Sequence, residues 1–126
     1  MSDKKYILLI EDEPLLGNLM KQRLEKEGFE VNLKRDGQEG LSALRERKPD
    51  VMLLDIILPK ISGFELMEMV RADPQIENTP IIIMSNLGQD TDIQKGTSLG
   101  ATEYYVKAKV SIDDLVDKVK EFVYTH

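Results

Sequence analysis

Four apolar residues in a row, Val51-Met52-Leu53-Leu54, stop at a carboxylate, Asp55, with Pro49-Asp50 before them and Pro59 after. An uninterrupted run of that length between turn-forming residues predicts a strand covered on both faces, as the strands of parallel sheets are. Tyr6-Ile7-Leu8-Leu9-Ile10 is a second such run and stops at Glu11-Asp12. Ile81-Ile82-Ile83-Met84 is a third and stops at Ser85. Thr102 to Val106 reads as a strand ending ahead of Lys107, while Phe29, Val31 and Leu33 alternate with polar residues in the manner of a half-buried edge strand.

Between these strands the apolar spacing becomes helical. Pro14 suits a first helical turn, and Leu15, Leu16, Leu19, Met20 and Leu24 recur from there to Gly28, a stop signal. Asp36-Gly37 opens a second helix, with Leu41, Ala43 and Leu44 on its apolar side, that ends near Lys48-Pro49. Ser62-Gly63 precede a third, carrying Phe64, Leu66, Met67 and Val70. Gly88 to Leu99 is the least apolar helical segment, with Ile93 and Leu99 its only large aliphatic residues. Ser111-Ile112-Asp113-Asp114 starts the last, whose stripe is Leu115, Val116, Val119, Phe122 and Val123.

Five strands alternating with five helices predict a parallel sheet covered on both faces and joined by right-handed crossovers. The pattern suits the α/β, flavodoxin-like (βα)5 fold, a doubly wound five-stranded parallel sheet of order 2-1-3-4-5. Its switch point lies between the first and third strands, where Glu11, Asp12 and Asp55 end. The 126 residues fit one domain, 1–126, with no linker, repeat or low-complexity stretch inside it.

Composition removes several classes of chemistry. With no cysteine, neither a disulfide framework nor a thiolate metal site is available. The single histidine, His126, ends the chain and reads as a solvated tail residue, which sets aside Ser-His-Asp and Cys-His catalysis. A net charge of -6 argues against nucleic acid and anionic membrane as partners. The Tyr6–Ile10 run is too short for a signal peptide or a spanning helix, so a cytoplasmic protein is expected.

Four strands thus end in polar residues on one edge: Glu11-Asp12, Asp55, Ser85 and Lys107. Taken singly, each has a plain structural role, as helix N-terminal charges, strand cap, helix cap or solvated lysine. Gathered in one crevice, three carboxylates repel one another, and a hard divalent cation relieves that repulsion; Mg²⁺ is expected, with Mn²⁺ the other candidate. Ser85 offers a hydroxyl and Lys107 a point charge, both suited to phosphoryl oxygens. An aspartate can act as the nucleophile and form an acyl phosphate.

These residues resemble a known family, the receiver domains of two-component response regulators, in particular the single-domain, chemotaxis-regulator-like kind. The resemblance runs from Lys5 to Tyr124 and rests on Ile10-Glu11-Asp12-Glu13, Asp55-Ile56-Ile57-Leu58-Pro59 with Gly63, Met84-Ser85, and Tyr104-Tyr105-Val106-Lys107. It implies that Asp55 is the phosphoacceptor, taking phosphate from a sensor histidine kinase or a histidine phosphotransfer protein. It implies that Glu11, Asp12, Asp55 and the backbone carbonyl of Ile57 hold Mg²⁺, that Ser85 hydrogen-bonds the phosphoryl group, and that Lys107 pairs with it. Tyr104 falls at the aromatic switch position, turning inward when Ser85 moves toward phosphate. The signalling surface would be the fourth helix, fifth strand and fifth helix, read by a downstream protein whose identity no motif gives.

The chain departs from the family in three places. Ala108 follows Lys107 where proline is common, so the usual cis peptide is not expected. Asn86 is larger than the residue usual after the hydroxyl position and would restrict entry to the pocket. Ile57 and Leu87 are apolar where polar residues could orient an attacking water, which predicts slow loss of phosphate. The expectation is a phosphorylation-controlled switch without an output domain. It would catalyse its own Mg²⁺-dependent phosphotransfer and autodephosphorylation rather than act as a conventional enzyme. The alternative is a receiver-fold interaction module that works without phosphate, and for it the five polar residues have no use. A flavin carrier fits poorly, because Glu11-Asp12-Glu13 would repel its phosphate, and a haloacid-dehalogenase-like hydrolase wants an acid where Ile57 stands.

Overall fold

A computed structural model describes residues 4–125; His126 lies outside them. The elements are β1 (Tyr6–Ile10), α1 (Pro14–Lys26), β2 (Glu30–Lys34), α2 (Gly37–Glu46), β3 (Val51–Leu54), α3 (Gly63–Ala72), β4 (Ile81–Ser85), α4 (Asp90–Ser98), β5 (Glu103–Val106) and α5 (Ile112–Thr125), with a 3-10 turn at Lys107–Lys109. The strands form one parallel sheet of order β2-β1-β3-β4-β5, the flavodoxin-like arrangement.

The apolar runs are continuous because both sheet faces are covered. Successive strand side chains point to opposite faces. Ile7, Leu9, Val51, Leu53, Ile82 and Met84 meet Met20 and Leu24 of α1 and Leu115, Val119 and Val123 of α5. Leu8, Ile10, Met52, Leu54, Ile81 and Ile83 meet Leu41 and Leu44 of α2 and Leu66, Met67 and Val70 of α3. Burying one such aliphatic side chain contributes about 1.5–3 kcal/mol, and every residue of β1, β3 and β4 is buried.

The α1 stripe differs from expectation. Leu15 is 87% exposed and Leu19 44% exposed, while Gly17, Met20 and Leu24 are buried. Apolar residues occupy two neighbouring faces of this helix, and the sheet can cover only one. No cis peptide occurs among the described residues, as Ala108 led one to expect.

Two local devices set the loops around the switch point. Asp36 caps α2 by accepting the Glu39 N–H at 2.8 Å. Ser62 and Glu65 form a reciprocal capping box at the start of α3. At the opposite edge of the sheet, the guanidinium of Arg71 donates to four backbone carbonyls: Leu99 at 2.9 Å, Glu77 at 2.6 Å, Thr79 at 2.9 Å and Gly100 at 3.0 Å. Burial lowers its pKa.

Candidate functional site

The parallel register decides which residues meet. Ile10 is level with Leu54, and the Asp55 N–H continues the ladder by donating to the Ile10 carbonyl at 3.1 Å. The side chains that follow β1 and β3 therefore open into the same crevice. One carboxylate oxygen from each of Glu11, Asp12 and Asp55 lies within 4.8 Å of the others. Glu11 is wholly buried, Asp55 is 4% exposed and Asp12 is half-buried.

Lys107 enters this crevice from the end of β5. Its Nζ donates to Asp55 Oδ2 at 2.7 Å and to Glu13 Oε2 at 3.1 Å. The same nitrogen stands 2.7 Å from Glu11 Oε1, close enough for an ion pair but off hydrogen-bonding alignment, so that buried oxygen is left without a hydrogen bond. Glu11 Oε2 accepts the Glu13 N–H at 3.1 Å, and Asp55 Oδ1 accepts the Ile57 N–H at 3.2 Å.

Burial raises the pKa of Glu11, against the opposing pull of Lys107 and of the Glu13 N–H. Burial alone would lower the pKa of Lys107, but its hydrogen bond to Asp55 and its close pairing with Glu11 outweigh that and raise it, so the lysine stays a cation.

A buried carboxylate oxygen that makes no hydrogen bond, beside two more carboxylates, belongs to a donor set of hard oxygens, which suits Mg²⁺. Glu11, Asp12 and Asp55 would hold such an ion. The crevice opens to solvent through a cleft of about 220 Å³ lined by Asp12, Glu13, Asp55, Ile57, Asn86 and Lys107.

Ser85 is fully buried at the end of β4, within the strand rather than just past it. Its Oγ accepts the Leu87 N–H at 3.3 Å, which leaves the hydroxyl proton to donate. Tyr104, half-buried on β5, donates from its hydroxyl to the Leu87 carbonyl at 2.5 Å. One residue, Leu87, thus serves both side chains, through its N–H and its C=O. Burial, with Asp92 and Asp55 adding to it, pushes the Tyr104 phenol up to about 12.

The structure brings Glu11, Asp12, Asp55 and Lys107 together and seats Ser85 at the end of β4 and Tyr104 on β5, either side of the loop that carries Leu87. Two positions differ from the sequence reading. Leu87 packs against the core beneath the loop, while Asn86 lines the cleft beside the exposed Ile57. Glu13, part of the Ile10-Glu11-Asp12-Glu13 motif but assigned no role in the site, makes no capping bond on α1 and reaches Lys107 instead. Its signal was present: Pro14 starts the helix, which places Glu13 at the edge where Glu11 and Asp12 already stand.

Known proteins share the sequence pattern and the fold. The sequence model described as "Response regulator receiver domain" matches residues 7–120. The phosphate regulon transcriptional regulatory protein PhoB of Rhizobium meliloti is 40% identical over 90% of this chain and 50% of its own, so this chain spans about half of that relative. The polar-differentiation response regulator DivK of Brucella anthropi is 28% identical over 94% of this chain and 96% of its own. Among solved structures, the Francisella response regulator 1452 receiver domain has a TM-score of 0.88 at 27% identity, covering 97% of this chain and 98% of its own. Chemotaxis protein CheY4 of Vibrio cholerae has a TM-score of 0.85 at 26% identity, covering 94% and 98%.

Proposed function

We propose that this chain, which belongs to the response regulator receiver domains, is a phosphorylation switch in which Asp55 is the phosphoacceptor. Receiver domains are the signalling switches of two-component systems and are generally Mg²⁺-dependent. The observation that carries the reading is the meeting of Asp55 with Glu11, Asp12 and Lys107 in one open crevice. Three carboxylates and a lysine converging on one point suit a metal-assisted phosphoryl transfer.

The donor would be a phosphohistidine on a sensor kinase or a histidine phosphotransfer protein. An Asp55 carboxylate oxygen attacks phosphorus, the P–N bond breaks, and the imidazole nitrogen keeps the electron pair and takes up a proton. Lys107 is already hydrogen-bonded to Asp55 and moves with little travel onto the incoming oxygens. Ser85 donates its free hydroxyl proton to the phosphoryl group, exchanging the Leu87 contact for a stronger charged one. Mg²⁺ held by Glu11, Asp12, Asp55 and the Ile57 carbonyl would neutralise charge on the transferring group. Output passes to a downstream protein through the surface of α4, β5 and α5, the elements next to Ser85 and Tyr104.

The test is phosphoryl incorporation from acetyl phosphate or phosphoramidate, with and without Mg²⁺, on the wild type and on Asp55→Asn. One phosphoryl mass that needs both Mg²⁺ and Asp55 is the expected result. A wild type that takes none would leave a phosphate-independent interaction module as the function.

A further inference from the structure

The buried residue of α4 is a glycine, Gly96. A methyl group in its place would stand 2.7 Å from Ile83 Cδ1, 2.9 Å from Tyr104 Cδ2 and 3.2 Å from Tyr104 Cε2. Carbon atoms pack at about 3.5–4.0 Å, so the Tyr104 ring lies against bare helix backbone. Glycine is a poor residue for a helix interior, and α4 carries it where the ring needs the space.

The two obstructing side chains differ in what they can do. Ile83 is fully enclosed in the sheet and has nowhere to turn. Tyr104 is only half-buried, at the edge of the sheet, and has room to turn outward. Its inward placement is fixed at two points, the Gly96 backbone beneath the ring and the Leu87 carbonyl at the hydroxyl. Leu87 in turn donates its N–H to Ser85. A line of contacts therefore runs from α4 through the ring and the backbone of one residue, Leu87, to the buried hydroxyl.

We propose that Gly96 is a positioning residue: its missing side chain makes the inward seat of Tyr104, and through the backbone of Leu87 that seat holds Ser85 ready for a phosphoryl group. The seat stands on the geometry alone, whereas its effect on phosphorylation rests on the function proposed above. A side chain at 96 turns the ring outward, frees the Leu87 carbonyl and loosens the loop that presents Ser85. Preorganised donors act because they need no rearrangement at the moment of reaction, so a loosened loop slows transfer.

The experiment uses Ile83→Val, which removes the Cδ1 obstruction, as the background for Gly96→Ala, with and without Tyr104→Ala. Alanine favours a helix over glycine, and circular dichroism checks that each variant is folded. In the unphosphorylated protein, the nuclear Overhauser contact between the Tyr104 ring and the residue 96 α-protons is expected in Ile83→Val. It should vanish on adding Gly96→Ala, with the phenol relaxing from about 12 toward the free value of about 10. Incorporation from acetyl phosphate should slow by about threefold or more with Tyr104 present and by less than about 1.5-fold without it. An undisturbed ring contact would overturn the seat. An equal slowing with and without Tyr104 would overturn the link to Ser85. If the Ile83→Val parent takes no phosphate, the functional reading fails, and the ring contact still decides the seat.

Discussion

Lys107 reaches Asp55 across 52 residues of sequence, its ammonium donating a 2.7 Å hydrogen bond to Oδ2. The lysine is thus the countercharge of the crevice before any phosphate or metal arrives. That single bond makes the site's electrostatics testable.

Replacing the lysine by methionine should separate stability from metal binding. Lys107→Met leaves buried Glu11 and Asp55 without a cation, and breaking one side of a buried pair costs about 3–5 kcal/mol. The same change removes a positive charge from among the candidate Mg²⁺ ligands. Mg²⁺ should then bind about tenfold tighter, a gain of about 1.4 kcal/mol, and restore part of the lost stability. Melting temperature against Mg²⁺ concentration measures both. Weaker Mg²⁺ binding in the variant would show that the lysine is not a competitor for the site.

The cleft mouth governs entry and hydrolysis separately. Asn86→Ala widens the opening beside Ile57 and should speed incorporation from small phosphodonors, leaving transfer from a protein donor less affected. Ile57→Asn puts a polar group where water approaches and should shorten the phosphate lifetime by about 3- to 10-fold, short of the ~10² given by a positioned general base. Leu87→Asn should not act this way, since its side chain faces the core. Decay of labelled phosphoprotein gives the answer, and a lifetime unchanged in Ile57→Asn would refute it.

Asp36 gives a pH-dependent contribution to stability. The Glu39 N–H holds its folded-state pKa below the ordinary carboxylate value, against a partial opposing effect of burial. A carboxylate with a depressed folded pKa stabilises fully above its unfolded pKa, and that stabilisation is lost as pH falls through the folded value. Asp36→Ala should cost about 0.5–2 kcal/mol at pH 7. The difference from wild type should shrink steadily in urea melts below pH 4. A gap that stays constant into strong acid would mean the cap does not act through its charge.

Gly63 is pressed against the backbone of the phosphoacceptor. A Cβ there would meet the Asp55 carbonyl oxygen at 2.5 Å and Ile56 Cα at 2.6 Å, neither of which is a movable side-chain end. Gly63→Ala should therefore cost at least the ~1–3 kcal/mol typical of overpacking. It should also depress phosphorylation more than a comparably destabilising core change such as Ile82→Ala, about 2–5 kcal/mol. Equal phosphorylation in the two would show that the contact does not position Asp55.

Much of this was legible in the sequence because the physics is local. An apolar run ended by an acid says where a buried strand stops, and strand order then places Glu11 beside Asp55. What escaped was decided by packing. Leu15 and Leu16 look alike in sequence, yet one is 87% exposed and the other packs against the core, since only the sheet's position selects the helix face. Leu87 and Asn86 are neighbours in a short loop, and which of them faces the cleft depends on a backbone path that no periodicity encodes. Arg71 left no pattern at all, because its partners are carbonyls rather than side chains.

Those carbonyls all precede a strand: Glu77 and Thr79 lead into β4, Leu99 and Gly100 into β5. One guanidinium thus clamps both strands at their amino ends, while Ser85 and Lys107 sit at or just past their carboxyl ends. The pair behaves as two beams fixed at the base. Whatever displacement a chemical event produces at the tips cannot be absorbed by the strands sliding lengthwise, and it must be delivered sideways, into the helix that lies alongside.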